Sequence, residues 1–433
     1  MSKQHPASEW KNLPGPETIQ RVRLPNGITL LCYNNPHVSS VNLVGLLEGG
    51  SALDPQDKLG LGHFTAGMLT RGTSRRSFNA FHQELEERGA SLSFSSGANH
   101  TSFHGKGLAE DIEILFDLAS DGLRKPSFSQ EYFERLRAQL LAGLALRDQD
   151  TGEAASLLFD GNLFPCHPYG RPEDGYVATI QAITREDVIQ FHREHYNPQD
   201  MLLVVAGAIQ PNSVQELAEQ YFGSWASPAR KDFSMPPIPE QPGQIIRKHC
   251  FIEEKSQVDL IMGSLGPNRT NADFHAVYLG NNILGQFGLM GRIGESVRSR
   301  SGLAYYASSS VSAWSDCGTW EFNAGTNPEN LEKAIELIRT EIKRFVSSSV
   351  SQEELDDSQS NLIGRLPLSL ESNAGVANAI LSMERFQLGL DYYQRYAQFL
   401  RAVSADDILT AAQKYLDPDR LVIASAGPGP DIL

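Results

Sequence analysis

Two segments of the chain repeat one order of capping residue, amphipathic helix and apolar strand. The first begins at Thr184, has an acid three residues later, and reaches the apolar run 202–207 just after a proline. The second begins at Ser404, 220 residues further on, and reaches the apolar run 421–427 in the same way. A hydroxyl N-cap, an acid at the third helical position and a proline after the helix are start and stop signals. The pattern predicts a helix and then a strand in both places.

A second pair of segments has almost the same offset. Apolar residues at helical spacing follow Ile112, and others follow Leu331, 219 residues later. Before each of them lies a stretch of alternating residues, 90–94 and 304–314, which predicts a strand. Two pairs of segments at one offset indicate a duplication.

The composition between the repeats indicates a domain boundary. Prolines are concentrated between Trp225 and Gly243, which disfavours helix and central strand and predicts an extended linker. We therefore predict an N-terminal domain over 1–225, a linker over 226–245 and a C-terminal domain over 246–433. Mixed helices and strands favour an α+β fold with two homologous halves, each a mostly antiparallel sheet with helices packed on one face.

Composition and charge restrict the class of protein. The 433 residues are 40% hydrophobic with a net charge of −15, the balance of a globular chain. Apolar runs are too short to span a bilayer, and no secretory signal pattern begins the chain, so we expect a cytoplasmic protein without a membrane partner. The acidic charge, without a basic run, argues against nucleic acid. Four widely spaced cysteines predict free thiols.

One segment, 59–73, has the frame of the inverted zinc motif H-x-x-E-H. In that motif two histidines four residues apart hold one metal ion from a single helix face, and the adjacent glutamate is the general base. Here His63 occupies the first position, but Ala66 replaces the glutamate and Gly67 replaces the second histidine. A single imidazole does not make a three-ligand catalytic site.

The frame of this motif, Gly-Leu-Gly-His before it, Arg-Gly-Thr after it, the segment 164–170 and the tandem halves together resemble the pitrilysin/insulinase family. The resemblance is to its short branch, which includes the mitochondrial processing peptidases and bacterial relatives. In active members a third ligand, a glutamate, lies some 75 residues beyond the second histidine, whereas 138–147 contains no carboxylate here. We therefore expect no metal, no cofactor and no catalytic residue in this chain alone, with His63 a remnant.

Other histidine pairs are weaker candidates for a metal site. His192 and His195 lie three residues apart on a predicted helix, where a solvated helix face is the simpler interpretation. His100 and His104 share a face of a probable strand, but four residues of strand separate them by about 13 Å, too far to bind one ion.

The second half contains Arg298 near a predicted helix end and Tyr305 at a predicted strand start, after the glycine-rich stretch with Gly285, Gly288 and Gly291. From the residues alone, a dipole-favoured arginine and a packing tyrosine are the simpler interpretation. The resemblance implies instead that Arg298 and Tyr305 hold the substrate peptide near its scissile bond. For the glycines, a substrate-guiding segment and a flexible turn both stay open.

The resemblance implies a function in a complex. We expect a noncatalytic subunit of a heterodimeric zinc metallopeptidase, which supplies Arg298 and Tyr305 to a zinc-bearing homologous subunit. Extended peptide would bind along the strand 90–94 or along its counterpart in the partner. The alternative is a structural or peptide-binding protein on the same fold without a role in proteolysis.

Overall fold

The structure is a computed structural model that describes residues 13–47, 49–199, 201–226 and 234–429, without the side chains of 289 and 290. Part of the predicted linker, 227–233, lies outside the described residues.

The chain forms two compact units, and neither is continuous in sequence. The first unit comprises the described residues of Met1–Leu144, Pro172–Met235 and Pro367–Gln394. The second unit comprises those of Ala145–Arg171, Pro236–Leu366 and Arg395–Leu433. The first unit therefore includes a segment from the C-terminal part of the sequence, Pro367–Gln394, and the second unit includes one from the N-terminal part, Ala145–Arg171.

Each unit contains one sheet. In the first unit the strands are β1 (Ile19–Arg23), β2 (Thr29–Asn34), β3 (Ser40–Leu47), β4 (Ser91–Ser96), β5 (Thr101–Leu108) and β6 (Leu202–Gly207), in the order β1-β2-β6-β3-β5-β4. In the second unit they are β7 (Ile246–Phe251), β8 (Val258–Gly266), β9 (Ala304–Ala313), β10 (Gly318–Thr326) and β11 (Val422–Gly427), in the order β7-β11-β8-β10-β9. The neighbours pair antiparallel except β2 with β6 and β7 with β11.

The α-helices are α1 (Leu61–Met68), α2 (Phe78–Glu86), α3 (Ile112–Arg124), α4 (Gln130–Arg147), α5 (Thr151–Leu163), α6 (Val177–Ala182), α7 (Arg185–His195), α8 (Pro211–Phe222), α9 (Phe274–Gly285), α10 (Phe287–Ile293), α11 (Leu331–Phe345), α12 (Gln352–Ser369), α13 (Asn373–Arg385), α14 (Tyr392–Arg401) and α15 (Ala405–Tyr415). A π-helical segment, Gly294–Arg300, continues α10. Short 3-10 turns are formed by Ser51–Leu53, Ala109–Asp111, Pro168–Gly170 and Pro328–Asn330. The α+β prediction with two similar sheets is confirmed.

The repeated sequence pattern forms the same local structure twice. Thr184 caps α7 with a reciprocal bond to Asp187, and Ser404 caps α15 with the same bond to Asp407. Each helix precedes a strand that lies inside its sheet, β6 or β11, where both neighbours supply backbone hydrogen bonds. The two predictions of helix and strand are confirmed.

One face of each sheet packs on the main apolar core of its unit. In the first unit Phe64 of α1 and Phe116 of α3 join Leu43 and Leu203 of the sheet. In the second unit the buried side chains of Trp320 and Phe322 occupy the corresponding core with α9 and α11. In each unit these helices cover one face of the sheet, as the predicted architecture has it.

A single helix covers the other face, which the sequence analysis did not predict. In the second unit Phe159 of α5 lies against Gly263 of β8, on the face opposite Leu260 and Met262. All nine residues of β8 are buried, so both of its faces require apolar cover. In the first unit α13 packs on β3 and β6 in the same way.

A bidentate ion pair holds α13 to the edge of the first sheet. Arg21 of β1 donates from Nε and Nη2 to the carboxylate of Glu384, at 3.1 and 2.8 Å, and Glu384 is largely buried. Near the start of α13, Asn373 donates to the backbone oxygen of Ser40 at 2.8 Å. Both ends of this helix are thus tied to the sheet by side chains.

No helix among the described residues is long and apolar enough to cross a bilayer. The four cysteines are free thiols, as predicted, and Cys166 is the exposed one.

We predict that Glu384→Gln destabilises the first unit by about 1–2 kcal/mol, because a charge-assisted bidentate bond is lost. The loss is no larger because the exposed Arg21 can be solvated by water instead. The measurement is the urea midpoint, with Glu371→Gln, an exposed glutamate just before α13, as the matched control. Equal midpoints for the two variants would show that the ion pair does not hold the helix.

Candidate functional site

Helix α1 contains the remaining histidine of the zinc-motif frame, and local chemistry fixes where this helix begins. Gly60 has φ of +93°, a left-handed conformation suited to glycine. The buried carboxylate of Asp54 accepts hydrogen bonds from the backbone N–H groups of Gly60 and Gly62, both at 2.8 Å. These bonds satisfy N–H groups at the helix start and place negative charge at the positive end of its dipole.

His63 lies in the first turn of α1 and is half-buried. Burial lowers the pKa of His63 below its ordinary value, and the carboxylate of Asp174 partly offsets that effect. The imidazole is therefore neutral near pH 7, the form that could bind a metal ion, but it is one ligand where catalytic zinc requires three.

The positions of the motif's glutamate and second histidine carry no donor atoms. Ala66 is buried, and a Cβ atom built on Gly67 would lie 3.0 Å from Cδ2 of Leu136 in α4. The guanidinium of Arg71 donates to the backbone oxygen of Gly67 at 3.1 Å and to Oε1 of Gln139 at 2.6 Å. Apolar packing and an arginine bridge thus join α1 to α4.

These residues do not fit a catalytic zinc ion. The stretch of α4 that the resemblance assigns to the third ligand has no carboxylate, and Phe133 of α4 stacks on Phe64 of α1 with ring centroids 4.7 Å apart. Across the part of the chain that the structure describes, no group of three or more His, Cys, Asp or Glu side chains could hold a metal ion.

The other histidines that the sequence singled out have separate surroundings. The Nε2 of His192 lies 2.8 Å from the backbone oxygen of Leu123, whereas the ring of His195 lies against Phe191. Nε2 of His100 lies 3.4 Å from a guanidinium nitrogen of Arg385, and His104 is an exposed residue of β5. The structure brings neither pair together as a chelate.

The glycine-rich segment of the second unit is helical, and two of its glycines allow a close approach of backbone. A Cβ atom on Gly285, the last residue of α9, would lie 2.0 Å from the backbone nitrogen of Ser309 in β9. Gly291 has φ of +63°, and its Cβ atom would lie 2.5 Å from the oxygen of Ile283. Gly288, at φ of +62°, faces open space. Packing alone thus requires glycine at 285 and 291.

Arg298 and Tyr305 lie on consecutive elements of the second unit. Arg298 is exposed in the π-helical segment, which packs against β9, and Gly302 ends that segment in a left-handed conformation with φ of +62°. Tyr305 is 60% exposed at the start of β9, and its hydroxyl donates to Oδ1 of Asn327 at 2.9 Å. Arg298 has no side-chain hydrogen bond or ion pair to any described residue.

Sequence reasoning missed the residues that fix the start of β9. The hydroxyl of Tyr306 donates to Oδ1 of the buried Asp259 at 2.6 Å, and Thr151 of α5 donates to the other oxygen of that carboxylate. Gly325 of β10 leaves room for the Tyr306 ring. The alternation of residues along β9 could have indicated that Tyr306 has a different environment from Tyr305, since neighbouring side chains of a strand point to opposite faces.

We predict opposite effects of alanine at two glycines of the second unit. Gly285→Ala lowers the unfolding free energy by about 1–3 kcal/mol, because its Cβ atom collides with the backbone of β9. Gly364→Ala, inside α12 with nothing within 4 Å of its Cβ atom, raises it by about 0.5–1 kcal/mol. Thermal unfolding measures both, and stabilisation by Gly285→Ala would contradict the close contact.

Comparisons with known proteins agree with this architecture. Residues 29–158 match the family described as Insulinase (Peptidase family M16), and residues 182–362 match the Peptidase M16 inactive domain. An uncharacterized zinc protease of Rickettsia bellii is 26% identical over 395 residues, 91% of each chain, and one of Streptomyces coelicolor is 26% identical over 84% of this chain and 80% of its own.

Two solved structures have the same fold. The structure described as the peptidase M16 inactive domain from Pseudomonas fluorescens has a TM-score of 0.88 and 25% identity, covering 95% of this chain and 98% of its own. A protease from Helicobacter pylori also has a TM-score of 0.88, with 20% identity, covering 96% and 100%. The chain belongs to the insulinase (pitrilysin) family of peptidases, in its short two-domain form.

Proposed function

We propose that this chain is the noncatalytic subunit of a heterodimeric zinc metallopeptidase. It binds extended peptide and supplies Arg298 and Tyr305 in trans to the active site of a zinc-bearing homologous subunit. Peptide hydrolysis then takes place on the partner, and this chain contributes binding and orientation.

The observation that carries the proposal is the contrast between the two units. Helix α1 offers His63 alone, with Leu136 packed beside the position of the second ligand. In the second unit Arg298 and Tyr305 are both exposed, and Arg298 has no side-chain partner among the described residues, which supports a retained binding role. Such a contrast is what a subunit without its own metal chemistry but with a substrate surface requires.

The chemistry of the two side chains suits a peptide. The guanidinium of Arg298 presents several N–H donors that can hold a peptide carbonyl group in a fixed orientation. The hydroxyl of Tyr305 can turn from Asn327 and donate to the oxygen of the attacked carbonyl as negative charge develops there. Because that bond strengthens in the transition state, Tyr305 would affect turnover more than binding.

Edge strands offer a place for the peptide backbone. Among the described residues, β4 ends the first sheet with β5 as its one neighbour, and β9 ends the second sheet with β10 as its one neighbour. An extended peptide can add to such an edge through main-chain hydrogen bonds, with side chains directed alternately to either face. The exposed Tyr305 belongs to β9, which supports a contact with a peptide added at that edge.

The test is reconstitution with a zinc-bearing homologous subunit from the same cell. We expect the mixture to cleave an unstructured peptide much faster than the zinc-bearing subunit alone. Tyr305→Phe in this chain should lower kcat by about 100-fold, the usual cost of losing an oxyanion donor, with little change in KM. Arg298→Ala should raise KM, because a carbonyl clamp is lost.

Arg300→Ala is the matched control, since Arg300 is an exposed arginine of the same segment, 3.6 Å from Glu295. Wild-type kinetics for Arg298→Ala and Tyr305→Phe would contradict the assigned roles. No gain of peptidase activity on mixing would contradict the subunit model and favour a structural or peptide-binding protein. The proteins that copurify with the native chain would then show which assembly it belongs to.

A further inference from the structure

A cavity of about 410 Å³ lies in the first unit between the end of α3, the loop before α4, helix α7 and the residues after α8. That volume is within the range of about 300–1,000 Å³ typical of small-molecule sites. Its lining includes Arg124, Lys125 and Arg193, and none of the described lining residues carries a carboxylate. We call this cavity the Arg124 pocket.

The positive charge that lines the Arg124 pocket is only partly offset by the protein, through the electrostatic interaction of Asp121 with Arg124. Lys125 and Arg193 are exposed and form no side-chain hydrogen bond or ion pair with any described residue. Arg124 donates to two neutral acceptors, the backbone oxygen of Tyr221 and, at 3.0 Å, the hydroxyl of Ser224. In a chain with a net charge of −15, three cations around one cavity are a local reversal of sign.

The rest of the wall is aromatic. The half-buried Trp225 lines the cavity together with the buried Phe128 and with His192. Burial lowers the pKa of His192 to about 4, so this imidazole is neutral near pH 7 and adds a flat surface rather than charge. Aromatic rings beside cations are the usual surroundings of a ligand with an anionic group and a flat body.

Phe128 is also strained. Its φ is +45°, in a region that a bulky side chain rarely adopts. The conformation is held by contacts, since the ring is buried edge-to-face against His192 at 5.3 Å and its carbonyl oxygen accepts a bond from Arg185. Backbone strain of this kind costs about 1–3 kcal/mol and is concentrated at functional sites. It is a second indication, independent of charge, that this wall has a binding role.

We propose that the Arg124 pocket binds a small anionic ligand with a flat aromatic body, the chemistry of a nucleotide, with the phosphoryl group on Arg124, Lys125 and Arg193 and the ring against Trp225. The site is built from the first unit alone, and it does not depend on the proposed role in proteolysis.

The test uses AMP as the probe, titrated into the full chain by calorimetry at low and high salt. We expect saturable binding that weakens with salt, and weaker binding of both inorganic phosphate and adenosine, because each supplies only half of the contacts. Lys125→Ala/Arg193→Ala should weaken AMP binding by about tenfold or more, since charge-assisted bonds are lost. Quenching of Trp225 fluorescence gives a second readout, which Trp225→Phe should remove.

The matched control is Lys333→Ala/Lys343→Ala, which removes two exposed lysines from α11 in the second unit and should leave AMP binding unchanged. Absence of saturable AMP binding, or equal binding by the pocket variant and wild type, would overturn the proposal. Binding of inorganic phosphate as tight as that of AMP would overturn the aromatic part of the assignment. Equal losses of AMP affinity in the pocket variant and the control variant would overturn the assignment of the whole site.

Discussion

Catalytic zinc requires three protein ligands directed at one point, and where the motif would supply them this chain has His63 alone and an apolar contact between α1 and α4. At Gly67 the nearest neighbour of a built Cβ atom is a methyl group of Leu136, and Phe64 stacks on Phe133. A second imidazole at position 67 would have to displace that apolar contact, and it would still be one ligand short. The proposed dependence on a second subunit rests on these missing ligands, and the apolar packing fills the place of one of them.

Helix α5 belongs to the second unit and α13 to the first, although each comes from the other part of the sequence, and this has a physical reason. Strands such as β6 and β8 are apolar on both faces, so each sheet requires cover on two sides. One face is covered by helices that follow in sequence, whereas α5 and α13 cover the other. A fragment ending near residue 225 would leave one face of the first sheet without α13, and we therefore expect neither sequence half to be as stable as its unit in the whole chain.

Local signals in the sequence predicted local structure well. The capping residues Thr184 and Ser404 fixed two helices, and alternation at 90–94 and 304–314 predicted β4 and β9 within about two residues. Features that depend on distant packing were missed. Periodicity shows that a helix has an apolar face but not which sheet receives it, so the positions of α5 and α13 could not be predicted. The bonds of Tyr305 to Asn327 and of Tyr306 to Asp259 join residues 22 and 47 positions apart, and no local pattern marks them.

The most direct test of the account is the metal content of the purified chain after equilibration with zinc and removal of unbound ions. We predict far less than one zinc ion per chain, no change with His63→Ala, and no chelator-sensitive peptide hydrolysis by the isolated chain. One tightly bound zinc ion per chain that is lost in His63→Ala, together with hydrolysis that a chelator abolishes, would contradict it.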